Sequence, residues 1–514
     1  MPKTLYVTTA IDYTNSPPHI GHAYEKVLAD VIARYHRLNG ERVFFLTGVD
    51  QHGQKVQQSA ARAGVAPSKF VKGVTQKFVD LWKKLDVKYD QWAETIAPRH
   101  KKVVQGMLQR LFDAGQVYKD KQSGYYSVRQ EQFLTDKEHG PDGEFGPEWG
   151  QVEFREEENY YFKLSQHKDW LLRYINKHKD AVIPDFRQTE LRNAIERISG
   201  DLCISRPKSR LDWGIELPFN KDFVTYVWFD ALTNYISFAG YDPAISSFNL
   251  QPSSFRDRWP ALQIIGKDIL VPAHGIYWLI ILHAVGFPDY AMPQFLVHGW
   301  WNMSGTKMSK SLGNIVDPNT LADKYSTEAV RYYLMSDIAT GKDADFSEER
   351  LVERYNADLA NNLGNLLNRT LNMVHQYRAG VVEQAGGDSP LAAQLVDLVR
   401  NYSLAMSAHE IHAALERVGG FVTTCNAYIE MAAPWKLAKD PARADALDHT
   451  LFALAEALRA IAILISPVLP NAAQEILYQL NCDREYTLVE ANWGGLPSRH
   501  QLGKPTPLFP RIET

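Results

Sequence analysis

Apolar and polar positions change their period several times along the chain. Residues 4–10 (TLYVTTA) cluster β-forming side chains with no charged break, the pattern of a strand buried on both faces. Asn15, Ser16, Pro17 and Pro18 end it. Ala23, Val27, Val31 and Tyr35 then recur every fourth residue with Leu28 and Ile32 beside them, which predicts an amphipathic helix closed by Gly40. Residues 42–47 (RVFFLT) predict a second apolar strand, and Gly48 opens the next loop. Strand, loop, helix and strand in that order form a βαβ unit, so the fold is expected to begin as a parallel α/β sheet.

The pattern degrades between 116 and 208. Residues 140–150 (GPDGEFGPEWG) concentrate Gly, Pro and acids among short aromatic strands, which predicts an insertion into the α/β domain. The sheet is expected to resume near Thr225 (TYVWFDAL), with further strands at 262–265 and 294–298. Beyond Thr320, Leu, Ala, Asn and Arg recur at helical spacing over 351–373 and 391–480, separated by a loop at 379–390. That third of the chain predicts a helical bundle.

Composition narrows this picture without redirecting it. A chain of 514 residues with 45% hydrophobic and 23% charged residues is an ordinary multidomain globular protein. Its three cysteines, Cys203, Cys425 and Cys482, are far apart and form no C-x-x-C pair, which argues against disulfides and a zinc knuckle. The apolar run at 276–285 contains His283 and is too short to span a bilayer, and residues 1–13 resemble neither a signal nor a transit peptide. A cytoplasmic location and no membrane partner are therefore expected. The net charge of −4 excludes a generally basic nucleic-acid binder, so any RNA contact must rest on local patches.

Two motifs carry candidate chemistry. Pro18-His19-Ile20-Gly21-His22 sits where the first strand hands over to the first helix. A helix N-terminus at the edge of a parallel sheet favours phosphate, Gly21 allows close backbone approach, and His19 and His22 can both donate to a polyphosphate. Lys307-Met308-Ser309-Lys310-Ser311 lies between Gly305 and Gly313, a loop with two ammonium groups able to neutralise a leaving pyrophosphate. Taken singly, each motif is equally consistent with ordinary surface residues.

Together and in this order they resemble the HIGH and KMSKS signatures of the class I aminoacyl-tRNA synthetases. Further segments resemble the methionine-specific members: residues 8–13 (TTAIDY), 47–53 (TGVDQHG), 226–231 (YVWFDA) and 266–269 (GKDI). The resemblance implies a Rossmann-type parallel-sheet catalytic domain, an inserted connective-peptide domain and an all-α anticodon-binding bundle. The expected division is 1–115 and 215–325 for the two catalytic halves and 116–214 for the insertion without a zinc knuckle. Residues 326–350 form the junction to a stem-contact region, and 351–514 the anticodon-binding domain.

Carried over by position, His19, Gly21, His22, Lys307 and Lys310 are catalytic. Gly266 and Asp268 join the histidines and lysines in binding ATP. Ala10, Ile11, Tyr13, Asp50, Trp228, Ala231, Leu232, Tyr235, Ile269 and His274 form a methionine pocket in which Asp50 pairs with the substrate ammonium. A thioether suits aromatic walls with one or two donors, for which Tyr13 and His274 are the candidates. Asn365, Arg369, Pro434 and Trp435 are expected at the anticodon, where an exposed Trp can stack an unpaired base. The implied substrates and cofactors are methionine, ATP with Mg2+, and tRNA(Met), initiator and elongator alike. No zinc is expected, and the chain is expected to act as a monomer.

The sequence departs from the family pattern in places. Gln51 stands where many members carry Glu, Asp12 where Pro or Tyr is common, and the stretch from Asp268 to His274 is one residue longer than the commoner form. Three other readings remain. A class I synthetase for leucine, isoleucine or valine usually needs a longer editing insertion than 116–208 provides, and a cysteine enzyme a cysteine-ligated zinc. A non-catalytic paralogue would tend to lose His19, His22, Lys307 and Lys310. A small-molecule nucleotidyltransferase would not need the helical third.

Overall fold

In a computed structural model, the structure describes residues 4–127, 132–134, 139–140, 143–303, 305–307, 316–384, 389–482 and 484–513. Its centre is a parallel sheet built from β1 (Leu5–Thr9), β2 (Val43–Asp50), β3 (Gln91–Glu94), β4 (Val182–Ile183), β5 (Ala261–Gly266) and β6 (Gln294–His298). The order across the sheet is β3-β2-β1-β5-β6-β4, and the short strand Asp12–Tyr13 continues alongside β2 beyond the end of β1. The inner strands β1, β5 and β6 are almost wholly buried and mainly apolar, although Gln263 is buried in the middle of β5. The chain works outward from β1 to β3, crosses to the far edge at β4 and then sets β5 and β6 between that edge and β1. That reversal opens a crevice at the strands' C-terminal ends, where α/β sheets bind ligands.

Helix α1 (Ile20–Leu38) follows β1 and is buried on most of its surface. One face covers the sheet, and the other packs on the helix Thr327–Ser336. The β1–α1–β2 unit thus has the expected form.

Two expectations are corrected. The segment near Thr225 does not resume the parallel sheet. Asn220–Thr225 pairs antiparallel with Ser205–Pro207 and Glu216–Leu217, and the following residues form helix α2 (Val227–Ser237). Phe229, Leu232, Tyr235 and Ile236 bury one helical stripe there, so tertiary packing overrides the β preference of the aromatic run. The strands of the insertion are long: Val117–Ser127 and Val152–Phe162 pair over eleven positions as one ribbon. Within the stretch expected as insertion, Val182–Ile183 joins the parallel sheet as its outermost strand.

The C-terminal part is helical as expected. Helices α3 (Asn365–Arg378) and α4 (Ile411–Ala432) pack with Pro390–Ser407, Ala444–Ile465 and Pro470–Gln479 around a core continuous with one side of the sheet. The expected loop contains a short pairing of Val381–Val382 with His500–Gln501. Among the described residues no helix is long and apolar enough to cross a membrane, and no group of three or more His, Cys, Asp or Glu side chains is placed to hold a metal ion.

Candidate active site

Two adjoining cavities occupy the crevice. The first, about 290 Å³, lies at the N-terminus of α1 and is lined by His19, Gly21, His22, Glu25, Gly266, Asp268, His298 and Trp300, among others. His19 caps the helix: its Nδ1 accepts the Gly21 N–H at 3.1 Å, and the His19 N–H donates to His22 Nδ1 at 3.1 Å. This is a capping box made from two histidines, and it fixes both rings at the mouth of a helix whose dipole favours anions. A Cβ on Gly21 would stand 2.9 Å from the His19 ring, so a side chain there would displace that ring. A Cβ on Gly266 would meet Asp268 Oδ1 at 2.8 Å.

The second cavity, about 400 Å³, contains all ten residues assigned from sequence to methionine: Ala10, Ile11, Tyr13, Asp50, Trp228, Ala231, Leu232, Tyr235, Ile269 and His274. Lys55, Tyr226, Val227 and Asn234 line it too and were not foreseen. Ala10, Ile11, Tyr13, Asp268 and Ile269 belong to both cavities, so one wall separates them. The extra residue before His274 is absorbed in a wide π-type stretch, Leu270–Trp278, in which Val271 leaves helical geometry. His274 therefore still reaches the cavity.

Its expected role changes, however. His274 Nδ1 donates to the Ile269 carbonyl at 2.9 Å, and its Nε2 accepts the Tyr235 hydroxyl at 2.7 Å. Burial pushes its pKa down to about 4, outweighing the hydrogen bond to Ile269. A neutral ring so engaged has no proton left to donate into the cavity, and its Nε2 orients the Tyr235 hydroxyl.

A buried polar chain supports this cavity from behind. Asp230 on α2 accepts from His52 Nδ1 at 2.7 Å and from His100 Nε2 at 2.8 Å, and His100 Nδ1 meets Ser237 Oγ at 2.8 Å. Burial works to raise the Asp230 carboxyl, but the two histidines outweigh it and hold it at about 2. The His52 N–H in turn reaches Asp50 Oδ1 at 3.4 Å.

The lysines of the second motif are only partly placed. The backbone of Thr306–Lys307 pairs antiparallel with Trp301–Met303, just past β6 and beside the first cavity. Lys310 lies outside the described residues.

On the bundle, Asn365 Nδ2 reaches Asn426 Oδ1 at 3.3 Å and Arg369 pairs with Glu430 at 2.6 Å, so both contact α4. That helix ends in Ala433 and runs directly into the turn Pro434–Leu437. Pro434 is buried, and Trp435 packs half-buried against the bundle core.

Comparison with known proteins now decides the family. Residues 5–142 and 149–371 match tRNA synthetases class I (M), and residues 380–514 match the anticodon binding domain of methionyl tRNA ligase. The methionine–tRNA ligase of Deinococcus radiodurans is 40% identical over 528 residues, covering 99% of this chain and 75% of that protein. That of Caldanaerobacter subterraneus is 39% identical, covering 100% and 80%. A Mycobacterium tuberculosis methionyl-tRNA synthetase, solved in complex with methionyl-adenylate, superposes with a TM-score of 0.92 at 37% identity. It covers 99% of this chain and 100% of that one.

This chain belongs to the methionine-type class I tRNA synthetases. The family assignment bears out the resemblance seen in the sequence, and with it the parallel-sheet domain followed by a helical anticodon domain.

The buried histidines of this synthetase make its stability pH-dependent. His274 and His409 are both pushed down to about 4 by burial, against about 6.5 unfolded. The unfolded chain then binds more protons between those values, so stability is lost as pH falls from 6.5 towards 4, by up to about 3 kcal/mol per histidine. The Asp12 carboxyl, raised by burial to about 7, acts in the opposite sense, so the His274 contribution is read as a difference: from pH 7 to 4.5 the wild-type thermal midpoint should fall relative to that of His274→Gln. An unchanged slope in the variant would show that His274 does not titrate there.

Proposed function

We infer that this chain activates L-methionine with ATP to methionyl-adenylate and pyrophosphate, then transfers methionine to the 3′-terminal adenosine of tRNA(Met). The observation that carries the reading is the pair of cavities sharing one wall. One is aromatic and apolar with the buried Asp50 carboxylate; the other opens on a histidine-capped helix N-terminus. In the first step a methionine carboxylate oxygen attacks the α-phosphorus and pyrophosphate leaves. In the second a ribose hydroxyl attacks the adenylate carbonyl and AMP leaves. Neither step needs a protein nucleophile, so positioning and electrostatics supply the rate.

In this reading Asp50 pairs with the substrate ammonium, while Trp228, Ala231, Leu232, Tyr235 and His274 enclose the thioether chain. His19, Gly21 and His22 hold the phosphates, Gly266 and Asp268 the ribose side, and Lys307 and Lys310 the leaving pyrophosphate. ATP enters with Mg2+, and no zinc takes part. Asn365, Arg369, Pro434 and Trp435 meet the anticodon of initiator and elongator tRNA(Met), and the chain acts as a cytoplasmic monomer.

The test is ATP–pyrophosphate exchange with each of the twenty amino acids, with magnesium present and zinc chelated. Exchange with methionine alone supports the reading, exchange with another amino acid overturns the pocket assignment, and no exchange from folded protein overturns the enzyme. The anticodon assignment has its own check. Arg369→Ala removes one partly exposed side chain and its ion pair with Glu430, so folding should be little changed. Losing one good base contact costs about 1–3 kcal/mol, so charging of tRNA(Met) should fall roughly ten- to a hundredfold while methionine-dependent exchange stays constant.

A further inference from the structure

The wall between the two cavities is tied down by a lysine that touches neither. Lys26 lies on α1 and is completely buried. Its ammonium donates to Asp12 Oδ1 at 2.6 Å, Glu25 Oε1 at 2.8 Å and the Ala10 carbonyl at 2.9 Å. An ammonium has three protons, so all are engaged. Glu25 continues the chain: its Oε2 lies 3.0 Å from His298 Nε2, and His298 Nδ1 lies 2.7 Å from the Gly299 carbonyl. The connection therefore runs from the segment after β1, through α1, to the end of β6.

Charge balance alone does not explain this arrangement. Two carboxylates already surround the ammonium, yet its third proton goes to a neutral backbone oxygen in the segment that separates the cavities. Asp12 is anchored through one oxygen only, since its Oδ2 is buried with no hydrogen-bond partner among the described residues. Without Lys26, nothing described here would hold the Asp12 side chain. The Ala10 carbonyl would keep only the hydroxyl of its chain neighbour Thr9, at 3.0 Å, and so lose its one side-chain donor from α1, while the Ala10 N–H stays bonded to the Ile264 carbonyl at 3.2 Å.

We propose that Lys26 is a positioning residue for both substrates: from beneath the site it fixes the Ala10–Ile11–Asp12–Tyr13 segment against the phosphate-binding helix. Ala10, Ile11 and Tyr13 line the amino-acid cavity and the nucleotide cavity alike, so a slack wall weakens both substrates together. A displacement of about 1 Å in a positioning group far from the reacting atoms is enough for a large kinetic effect. The inference rests on reading the two cavities as methionine and ATP sites.

The experiment compares wild type, Lys26→Met and Lys26→Met/Asp12→Asn by thermal midpoint and by ATP–pyrophosphate exchange at varied methionine and varied ATP. Methionine-dependent exchange by the wild type secures the underlying reading; its absence overturns that reading and this inference with it. Lys26→Met leaves two buried carboxylates facing each other and should lose stability. The double variant removes one of those charges and should regain most of the midpoint. It also keeps the test decisive if Lys26→Met alone does not fold. Its KM for methionine and its KM for ATP should both stay raised about tenfold, with kcat within about threefold of wild type. If both KM values return to normal along with the midpoint, Lys26 only balances charge and the proposal fails. A rise confined to one substrate overturns the shared-wall argument.

Discussion

Asp50→Asn is expected to lower kcat/KM for methionine in ATP–pyrophosphate exchange by about a thousandfold while leaving the fold intact. Asp50 ends β2 at the C-terminal edge of the sheet and is 5% exposed, within a cavity whose walls are otherwise mainly apolar and aromatic. An ammonium entering such a space loses its water and must regain the energy from a carboxylate. Breaking a buried ion pair by neutralising one partner costs about 3–5 kcal/mol, and each 1.4 kcal/mol is about tenfold. The structural cost of the change is small by comparison. The contacts from the His52 N–H and the Thr95 hydroxyl to Asp50 Oδ1 are both long, at 3.4 Å, and an asparagine carbonyl can keep them. The thermal midpoint should therefore move by no more than a few degrees. A loss smaller than tenfold would mean that the ammonium is held elsewhere, with Asp268 the other carboxylate lining this cavity.

The parts of this site that sequence exposes are those governed by local rules. The Pro-Pro break and the four-residue apolar repeat identify α1 because chain breaking and amphipathicity act within a few residues, whereas the histidine cap emerges only in the structure. The methionine residues were reached by resemblance of short segments, and the structure brings all ten into one cavity although they come from four separate parts of the chain. What remained hidden depends on contacts far apart in sequence. Glu25 and Lys26 read as the polar side of an amphipathic helix. They are buried because Asp12 and His298 arrive from other elements to meet them. The helix Val227–Ser237 was hidden by its own aromatic start, whose strand-like composition is overruled by packing. Val182–Ile183 is too short to carry a period and becomes a sheet strand only through its neighbour β6. The role of His274 could not be read either, because its protonation follows from burial and from Tyr235, neither of which the sequence reveals.

Arg331→Met is expected to lower stability by several degrees, and tRNA charging beyond what that loss explains. Arg331 is wholly buried at the meeting of three units. Its Nε donates to the Val468 carbonyl at 2.8 Å, one terminal nitrogen to the Leu85 carbonyl at 2.9 Å, and the other to Asp30 at 2.8 Å and the Pro467 carbonyl at 3.1 Å. Asp30 lies on α1, the helix whose N-terminus forms the phosphate-binding end, whereas Pro467 and Val468 form the turn between two helices of the bundle. Methionine fills the apolar part of the space but leaves Asp30 with one buried cation fewer and strips three buried carbonyls of this donor. Removing one partner of a buried, hydrogen-bonded pair costs about 3–5 kcal/mol. Asp30 keeps Arg34 at 2.7 Å and the Lys88 N–H at 2.8 Å, which holds the loss towards the lower end of that range. Scanning calorimetry should record a midpoint lower by roughly 5–10 °C, since 1 kcal/mol shifts a large domain by about 2–4 °C. The same guanidinium also joins the bundle to the catalytic helix, so charging and exchange should separate. Below the transition, methionine-dependent exchange should stay within a few-fold of wild type while charging of tRNA(Met) falls further, because only charging requires the bundle and the site to grip one tRNA at fixed separation. If exchange and charging fall in equal proportion, Arg331 stabilises the fold without setting that separation.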